Sequence, residues 1–474
     1  MSWFVNAAKS LCNNEIIYPV AIIVFGTYIT IKTKFFHFRL FFPAIKNILK
    51  ENRQHEEKAK HHKDQISPIK SFFLQIATTI GIGTISGSML ALYFGGPGSI
   101  FWILVFGILI SGQKFGEIIL AKKFTYKNKD DGSSNGGIFY ILKNSVFGKN
   151  SKIGALMGFT YAIILYISIH IWSSFQMNQG ISVFVPEGLR IGQSIVKGGI
   201  SASMLLSLLL SITIGLMLCL NVKKISSIMS SIVPVMVTVY FCIVLSGILF
   251  NLEASKEAIK EVMRCAFTFK SSMYGFGAVL STSISRAVLS TEAGLGTATI
   301  INSMSSEEYP ARQAFLGALE TMIVTVMLAL GSLMFLVLGC NSQLFSGILP
   351  NDIKISLVQG LIYKNLGIFG YVGFAAIIGC FSLTTLIGNG YYVKSSADFL
   401  FNNKINKKLV ISLYAIGAFS ISLIKGVDSI VTIIDNLNKA MIVMNLIMII
   451  KLMKHISIEA KKYYTKLKPQ ENKV

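Results

Sequence analysis

Glycines and hydroxyl side chains interrupt one stretch of the chain that is otherwise strongly apolar. The stretch runs from Phe72 to Phe94, which is long enough to cross a bilayer as a helix. Glycine lowers helix propensity, and non-helical backbone persists at membrane depth only where it is buried in protein or lines a wet cavity. The pattern therefore indicates a helix that opens in mid-membrane and offers free N–H and C=O groups to a solute and an ion. The interrupting residues are Thr78, Thr79, Gly81, Gly83, Thr84, Ser86, Gly87 and Ser88.

The same residues have a second interpretation, which is close packing between helices. Gly83 and Gly87 have the spacing of the small-xxx-small motif. A second stretch, Tyr274 to Ser285 (YGFGAVLSTSIS), favours the opened helix because it carries its own glycine pair. Glycine-broken segments at corresponding positions of two halves are the best sequence indication of a transporter's midplane site.

The composition is that of a polytopic membrane protein. Of the 474 residues, 53% are hydrophobic and only 14% are charged, and the mean hydropathy is +0.62. The net charge of +22 does not indicate a nucleic-acid partner, because the basic residues fall in short segments between apolar runs. No zinc-finger, RNP or basic-helix pattern accompanies them. We therefore expect the lipid bilayer to surround most of the chain.

Apolar runs predict an all-α protein with about eleven transmembrane helices. Most of the 44 lysines and arginines lie in segments that alternate along the chain, and the positive-inside rule makes these segments cytoplasmic. The N-terminus is then outside and the C-terminus inside. The predicted spans lie near residues 16–31, 71–94, 99–120, 153–180, 199–220, 228–250, 271–290, 313–339, 366–397, 409–424 and 428–450.

The spans divide into two halves of opposite orientation. Residues 1–70 contain one span and a basic amphipathic cytoplasmic segment, and residues 451–474 form a basic cytoplasmic tail. Five spans in residues 71–250 are followed by five more in 251–450. Because five is odd, the second set enters the membrane in the opposite sense, as in an inverted repeat.

A buried zwitterion would need partners for both of its charges, because a lone buried charge is very costly. The N–H groups of Ile82, Gly83 and Thr84, beside Gly81, are our candidates for a carboxylate, since a helix N-terminus favours an anion. Gln176 is a polar side chain in an apolar span and either binds substrate or links helices. The second stretch would offer carbonyls and an apolar wall near the ammonium group, from Gly275, Phe276 and Gly277.

Several motifs together resemble the alanine or glycine:cation symporter family, of which the chain would be a divergent member. The resemblance extends in order over nearly the whole chain. It implies the leucine-transporter-like fold, a five-plus-five inverted repeat with one extra N-terminal helix. It also implies import of a small neutral amino acid, alanine or glycine, with sodium. We expect a monomer in the bacterial inner membrane. The motifs are GIGTISGSMLALYFGGPGSIFW, NGGIFYIL (135–142), QMN (176–178), STEAGLGTATI (290–300) and FSLTTLIGNGYY (381–392).

The resemblance also implies a sodium site between two spans. It places the hydroxyls of Thr384 and Thr385, on the ninth span, beside the backbone carbonyls of Ala77 and Ile80. Sodium is a hard cation that takes carbonyl and hydroxyl oxygens. The alternative is that each threonine hydroxyl bonds to its own helix, which is a common habit.

Four positions depart from the family pattern. Thr84 stands where the family usually has Asn, and Asn389 where a Trp usually follows the Thr-Thr motif. Thr291 and Asn302 replace the usual Asn and His. The side chain of Thr84 keeps an oxygen but is shorter than that of the usual Asn. Asn389 is smaller than the usual Trp and would leave a larger and more polar substrate site. We expect an altered substrate preference, and the sodium stoichiometry stays open.

Five charged residues lie at or near span ends, and we expect water or headgroups to reach most of them: Glu117, Arg286, Glu292, Arg312 and Glu320. We expect Arg286, Glu292 and Arg312 to form a cytoplasmic gate. The alternative function is a proton-coupled carrier or a carrier of another small solute, but no ionisable residue lies inside the broken segments. A channel filter, a catalytic constellation and a Walker motif are not found, so we expect neither a channel nor an enzyme.

Overall fold

The computed structural model describes residues 17–61, 65–127, 134–185, 190–191, 200–267, 276–339, 355–402, 404–422 and 427–471. Almost all of these residues are helical. The helices are α1 (Ile17–Lys32), α2 (Phe36–Arg39), α3 (Phe41–Lys60), α4 (Pro68–Thr79), α5 (Ile82–Gly95), α6 (Ser99–Lys123), α7 (Ile138–Ile141), α8 (Lys152–Ile181), α9 (Ala202–Leu218), α10 (Val222–Leu249), α11 (Leu252–Phe267), α12 (Phe276–Thr291), α13 (Ala298–Asn302), α14 (Pro310–Val337), α15 (Ile355–Leu400), α16 (Lys407–Ser422) and α17 (Val427–Glu471).

The remaining regular structure is short. A single π-helical turn, Leu142–Val146, continues α7. Strands β1 (Tyr126–Lys127) and β2 (Ser134–Asn135) pair antiparallel, and so do β3 (Arg190–Ile191) and β4 (Ile200–Ser201). The prediction of an all-α protein is therefore confirmed for the described residues apart from these two-residue strands.

The helices include many that are long and apolar enough to cross a membrane. Within the described residues six qualify alone, in α6, α8, α10, α14, α15 and α17, and the pair α4–α5 qualifies as one bent span. Helices α1 and α9 contain shorter apolar segments. Each of the eleven predicted windows contains a helix, although the number that cross the membrane stays a prediction. The chain is a polytopic membrane protein.

The predicted interruption of the second span is present. Helix α4 begins behind Ser67, whose hydroxyl caps the first turn, and Pro68 occupies the first helical position, where a missing N–H costs nothing. The backbone then becomes extended at Ile80 and Gly81, and α5 leaves at an angle of 49° to α4. The break thus includes Gly81, the first residue of the Gly-x-Gly-Thr motif, and Gly83 and Thr84 belong to the first turn of α5.

The second predicted interruption is only partly within the described residues. Tyr274 and Gly275 lie outside them. Helix α12 begins at Phe276 and continues without a break to Thr291. Gly277 therefore lies in the first turn of a helix, and an interruption in this stretch stays a prediction.

Small residues bring the central helices into close contact. Helix α6 packs along α14, and also against α1 and α12. A Cβ atom on Gly107 of α6 would overlap the side chain of Thr325 on α14, and one on Gly112 would overlap the backbone of Gly26 on α1. These close approaches are the small-residue packing that membrane helices use in place of a hydrophobic driving force. The approach at Gly107 sets α6 close against α14, and the approach at Gly112 sets α6 close against α1.

Helix α3 is the amphipathic segment that the sequence predicts. One face is buried, with Ala44, Ile48, His55 and Ala59, whereas Phe42 on the outer side is 81% exposed. The ammonium of Lys223, at the start of α10, donates to the carbonyl of Ala59 at 2.7 Å. The face of α3 opposite its buried side is thus available to lie against a lipid surface.

Candidate functional site

Three helices meet at the break between α4 and α5. The hydroxyl of Thr385 on α15 donates to the carbonyl oxygen of Ile80 at 3.1 Å. A Cβ atom built on Gly81 would lie 2.7 Å from both the Thr385 hydroxyl and Gln176 Oε1 on α8. Only glycine leaves room for this approach. The structure therefore brings four of the predicted site residues, Ile80, Gly81, Gln176 and Thr385, to one point.

The two helix ends at the break carry opposite partial charges. The last carbonyls of α4, including that of Ala77, and the first N–H groups of α5 have no partner within their own helices. Thr84 N–H donates to Gly81 O at 3.1 Å, which leaves the N–H groups of Ile82 and Gly83 at the positive end of α5. An anion is favoured at the start of α5, and a cation at the end of α4.

A polar seam runs from this point between α8 and α15. Its residues recur at intervals of three and four on each helix, so that they share one face. The Asn389 amide donates to the Ser173 hydroxyl at 3.1 Å, and a Cβ atom on Gly180 would lie 2.8 Å from the Ser382 hydroxyl. The polar seam consists of Ser173, Gln176 and Gly180 on α8 and of Ser382, Thr385 and Asn389 on α15.

Four buried polar atoms, one at the start of α5 and three in the polar seam, have no hydrogen-bond partner among the described residues. Buried polar groups are almost always paired in native proteins, and each unpaired one costs about 1–3 kcal/mol. Ordered water or a polar ligand is needed to supply the missing partners. The atoms are Thr84 Oγ1, Gln176 Oε1, Ser382 Oγ and Asn389 Oδ1.

An aromatic wall, which the sequence analysis missed, closes one side of the break. A Cβ atom on Gly83 would lie 2.9 Å from the indole of Trp172, and this indole stacks on Phe175. Trp172 is one of only three tryptophans in the chain, and it precedes Gln176 by one helical turn. The spacing of Trp172 and Gln176 by one helical turn, which puts both on one face of the span, is the sequence signal that could have revealed this wall.

Other predicted ligands lie elsewhere. The hydroxyl of Thr384 donates to the carbonyl of Cys380 in its own helix, at 2.9 Å, and lies beside Met236 on α10 rather than beside Ile80. Gly275 lies outside the described residues, and Phe276 and Gly277 form the start of α12. Among the described residues no group of three or more His, Cys, Asp or Glu is arranged to hold a metal ion. A cation at the break would be bound by carbonyl and hydroxyl oxygens.

The predicted gate residues have separate surroundings. Arg312 lies at the start of α14, where its guanidinium donates to Glu307 and to Glu51 of α3, both at 2.6 Å. Glu292 accepts a hydrogen bond from Thr297 and has a φ of +52°, which is strained for a residue other than glycine. Arg286 is half-buried on α12.

The expectation that water or headgroups reach most of the charges near span ends is wrong, because three of the five are buried. Arg312 is only 5% exposed. Glu117 on α6 and Glu320 on α14 have no exposed surface. Lys114, which the sequence analysis passed over, is equally buried and lies 3.2 Å from Glu320. Close packing of α6 on α14 removes Glu117, Glu320 and Lys114 from solvent, which hydropathy along the chain does not reveal.

The sequence model of the sodium:alanine symporter family matches residues 1–474. Among curated relatives, the probable sodium/glutamine symporter GlnT of Bacillus subtilis is 27% identical, over 95% of this chain and 88% of its own. The sodium/alanine symporter AgcS of Methanococcus maripaludis is 25% identical over 87% of this chain and 88% of its own.

A solved structure, that of a manganese transporter from Eremococcus coleocola, is 12% identical, with a TM-score of 0.45 and coverage of 81% of this chain and 76% of the transporter. The family and the curated relatives are transporters, so the expectation that the chain is not an enzyme is confirmed. The match over its full length shows that this chain belongs to the sodium:alanine symporter family.

Proposed function

We propose that the protein is a secondary active symporter that imports a small neutral amino acid, alanine or glycine, together with sodium by alternating access. The observation that carries the proposal is the meeting of Ile80, Gly81, Gln176 and Thr385 at an interrupted helix. The proposal includes eleven spans, a five-plus-five inverted repeat after one extra helix, and a monomer in the bacterial inner membrane. Its N-terminus is outside and its C-terminus is cytoplasmic.

The substrate carboxylate binds at the start of α5. The N–H groups of Ile82 and Gly83 and the hydroxyl of Thr84 provide donors there, and the helix dipole favours an anion. The carbonyls near Gly275 and Gly277 accept from the ammonium group, with Phe276 as an apolar wall. Gln176 Oε1, which lacks a partner in the described residues, is a second acceptor.

Sodium binds at the end of α4, between the carbonyls of Ala77 and Ile80 and the hydroxyl of Thr385. The Thr385–Ile80 hydrogen bond already holds two of these oxygens together, and sodium would bind between them as both turn their lone pairs toward it. Thr384 joins this set only if its hydroxyl leaves the carbonyl of Cys380. Substrate and ion then occupy the two ends of the same break, so each stabilises the other's site.

Alternating access requires a gate on the cytoplasmic side. Arg312 ties the loop before α14 to α3 through Glu51 and Glu307. Release of the substrate to the cytoplasm would need this contact to open. Arg286 and Glu292 lie on the same inner segment and complete the proposed gate.

A second candidate substrate is glutamine or another amino acid with a polar side chain. The polar seam offers Asn389 Oδ1 and Ser382 Oγ without partners in the described residues, which an amide or hydroxyl could satisfy. The relative GlnT is named a probable sodium/glutamine symporter, so glutamine is one of the substrates to be tested. A hydrogen-bonding site discriminates strongly against substrates that leave it unpaired.

The test is uptake into proteoliposomes that contain the purified full-length protein. Radiolabelled alanine, glycine, serine and glutamine are supplied with and without an inward sodium gradient. We expect one or more of them to accumulate only with the gradient. Uptake that is indifferent to sodium would contradict the proposal, and the ranking of the four amino acids decides between the two substrate candidates.

A further inference from the structure

Helix α3 has one exposed side that no other described part of the chain covers. Phe42 and Leu49 on this side are 81% and 62% exposed. Lys46, Lys50 and Arg53 are exposed as well, and the five positions recur at intervals of three and four residues, so they share one side of the helix. We call these five residues the outer face of α3. Large apolar side chains beside lysines and arginines are typical of a helix that lies in a membrane interface.

The exposed residues of α3 carry an excess of positive charge. One of them is acidic, Glu57, whereas the basic ones are Lys46, Lys50, Arg53, Lys58 and Lys60. Lys58 forms a salt bridge with Glu308 at 2.6 Å, but in the described part of the chain no carboxylate lies within salt-bridge distance of the three bases of the outer face. Two of these, Lys46 and Lys50, are one helical turn apart, where like charges repel each other. An anion on the outer face would relieve this repulsion.

Helix α11 has a different arrangement of charges. Its Lys256 and Arg264 form salt bridges with Glu253 and Glu261, one turn away, at 3.0 and 3.1 Å. In the proposed topology α11 lies outside, whereas α3 lies on the cytoplasmic side. The cytoplasmic leaflet carries anionic lipids, and its negative surface potential attracts basic segments. The unpaired bases of α3 thus complement the surface that the topology places beside them.

An anionic phospholipid fits the whole of the outer face. Its phosphate provides the acceptors that Lys46, Lys50 and Arg53 lack, and its acyl chains cover Phe42 and Leu49. A soluble anion would leave the two apolar side chains in water. A second copy of α3 would place bases against bases. The chemistry of the outer face therefore favours a lipid over either of these.

The opposite side of α3 holds the start of α14 and the loop before it. Arg312 donates to Glu51 of α3 at 2.6 Å, and the hydroxyl of Ser306 donates to the carbonyl of His55 at 3.0 Å. The backbone N–H of Ser306 also donates to the carbonyl of Ile66, at 2.8 Å. We call these contacts the cytoplasmic latch. The latch thus joins α3, the loop before α14 and the residues that lead into α4.

Helix α4 connects the latch to the break. It has twelve residues, so it is about 18 Å long, with Ile66 just before its start and the break at its end. Residues 61–67 join α3 to α4. If α4 swings away to open the cytoplasmic side, the bond between Ser306 and Ile66 must break. The position of α3 therefore affects how easily this side opens.

We propose that the outer face of α3 binds anionic phospholipids of the cytoplasmic leaflet, and that this binding stabilises the closed cytoplasmic latch; the effect on transport rests on the proposed function. Bound lipid fixes the rotation of α3 about its axis, with Glu51 and His55 turned toward the loop before α14. Because the lipid binds this arrangement best, it stabilises it by linkage. In neutral lipid the latch opens more readily and fewer carriers face outward. The apparent affinity for external substrate then falls with that fraction.

The first experiment measures hydrogen exchange at the backbone amides of residues 41–60. The full-length protein is placed in nanodiscs of phosphatidylcholine alone or of phosphatidylcholine with phosphatidylglycerol. We expect exchange to be about tenfold slower when phosphatidylglycerol is present. Joint replacement of the three bases by glutamine (Lys46→Gln, Lys50→Gln and Arg53→Gln) should remove this difference. Lys46→Arg with Lys50→Arg keeps the charges and should retain it.

The matched control removes the same number of charges from α11: Lys256→Gln, Lys260→Gln and Arg264→Gln. This variant should show the wild-type difference between the two lipid mixtures, because its bases do not contact the cytoplasmic leaflet. Equal exchange of wild-type α3 in both mixtures would overturn the lipid site. Equal protection by inorganic phosphate in phosphatidylcholine alone would also overturn it, since the outer face would then be a site for soluble anions.

The second experiment measures sodium-driven uptake of labelled alanine and glutamine into proteoliposomes of the two compositions. We expect the half-saturating external substrate concentration to be about threefold higher in phosphatidylcholine alone. The variant without the three bases should have the higher value in both compositions. Protection of α3 with the same half-saturating concentration in both would overturn the coupling to the latch. Protection of α3 without any sodium-driven uptake would overturn the proposed function and leave the lipid site in place.

Discussion

The hydroxyl of Thr385 donates a hydrogen bond to the carbonyl oxygen of Ile80 at 3.1 Å, across two helices and more than three hundred residues of sequence. The carbonyl belongs to the end of a helix whose next residue, Gly81, is non-helical. The hydroxyl of Thr384, the residue before Thr385, instead donates to the carbonyl of Cys380 in its own helix. In the proposed sodium site, Thr385 is therefore the threonine that faces the ion, whereas Thr384 bonds within its own helix.

The first prediction concerns these two threonines. Thr385→Val keeps the shape of the side chain and removes its oxygen, so we expect the sodium concentration for half-maximal uptake to rise about tenfold, which is about 1.4 kcal/mol. Thr384→Val is the matched control and should change this concentration little. The measurement is amino acid uptake against sodium concentration. A larger effect in the control would place the ion on the other face of α15.

The second prediction concerns the close approach at Gly81. Gly81→Ala places a methyl group 2.7 Å from Gln176 Oε1 and the Thr385 hydroxyl. Overpacking of this kind costs about 1–3 kcal/mol, so substrate affinity should fall about tenfold or more. Gly215→Ala on α9 is the control, because its Cβ would meet only Ala415 at 3.8 Å. Equal substrate affinity in the two variants, measured by binding in detergent, would contradict a crowded site at Gly81.

The third prediction concerns selectivity along the polar seam. Asn389→Leu has a similar size but cannot hydrogen-bond, so it should lower uptake of glutamine relative to alanine by about tenfold. Asn365→Leu is the control, since the Asn365 amide is exposed and donates to its own helix. Competition between labelled alanine and unlabelled glutamine gives the ratio. An unchanged ratio in the Asn389 variant would remove this residue from substrate selection.

Much of this architecture could be predicted from the sequence because membrane helices leave a strong apolar signal. Every predicted window contains a helix, and the glycines of the second span located its break to within a few residues. The resemblance to a family predicted that the Thr385 hydroxyl lies beside the Ile80 carbonyl, and the two are hydrogen-bonded. The sequence could not decide which of two adjacent threonines faces α4, because this depends on the rotation of α15 about its axis.

The burial of charged residues on α6 and α14 was the main feature that the sequence analysis did not predict. Lys114 and Glu117 are spaced by three residues in an apolar run, and Glu320 lies in another span. Each alone resembles a charge near a membrane surface. Their burial results from the close packing of α6 against α14, which glycines such as Gly107 permit. Such burial arises between distant segments and has no local signature.

The fourth prediction concerns the contact between α3 and α14. Arg312 and Glu307 form a pair in which both side chains are almost fully buried. Arg312→Gln leaves the Glu307 carboxylate uncompensated, and we expect the free energy of unfolding to fall by about 3–5 kcal/mol. Lys58→Gln removes an exposed pair with Glu308 and should cost about 0–1 kcal/mol. Thermal unfolding in detergent tests both, and similar losses would show that burial of the pair is unimportant.

The fifth prediction concerns His55, which lies on the buried face of α3. Arg312 donates to His55 Nε2 at 2.9 Å, so the imidazole accepts this bond in its neutral form. Burial lowers the pKa of His55 from its ordinary value of 6.5, and the charge of Arg312 lowers it further, while Glu307 and Glu51 act in the opposite direction. The folded protein therefore holds a proton at His55 less tightly than the unfolded chain does. Stability from the neutral imidazole is complete above pH 6.5 and is lost as the pH falls through that value toward the lower pKa of the folded state.

We therefore expect the melting temperature to fall between about pH 7.5 and pH 5.5, and to fall less in the variant His55→Gln, whose amide does not titrate in this range. His61→Gln serves as the control, because His61 is exposed at the end of α3 and should leave the pH profile unchanged. Scanning fluorimetry of the purified protein at several pH values gives the profiles. If wild type and His55→Gln lose stability in parallel, groups other than His55 set the acid sensitivity. If only His55→Gln is protected, the contact of α3 with the loop before α14 is held by a neutral imidazole against the guanidinium of Arg312.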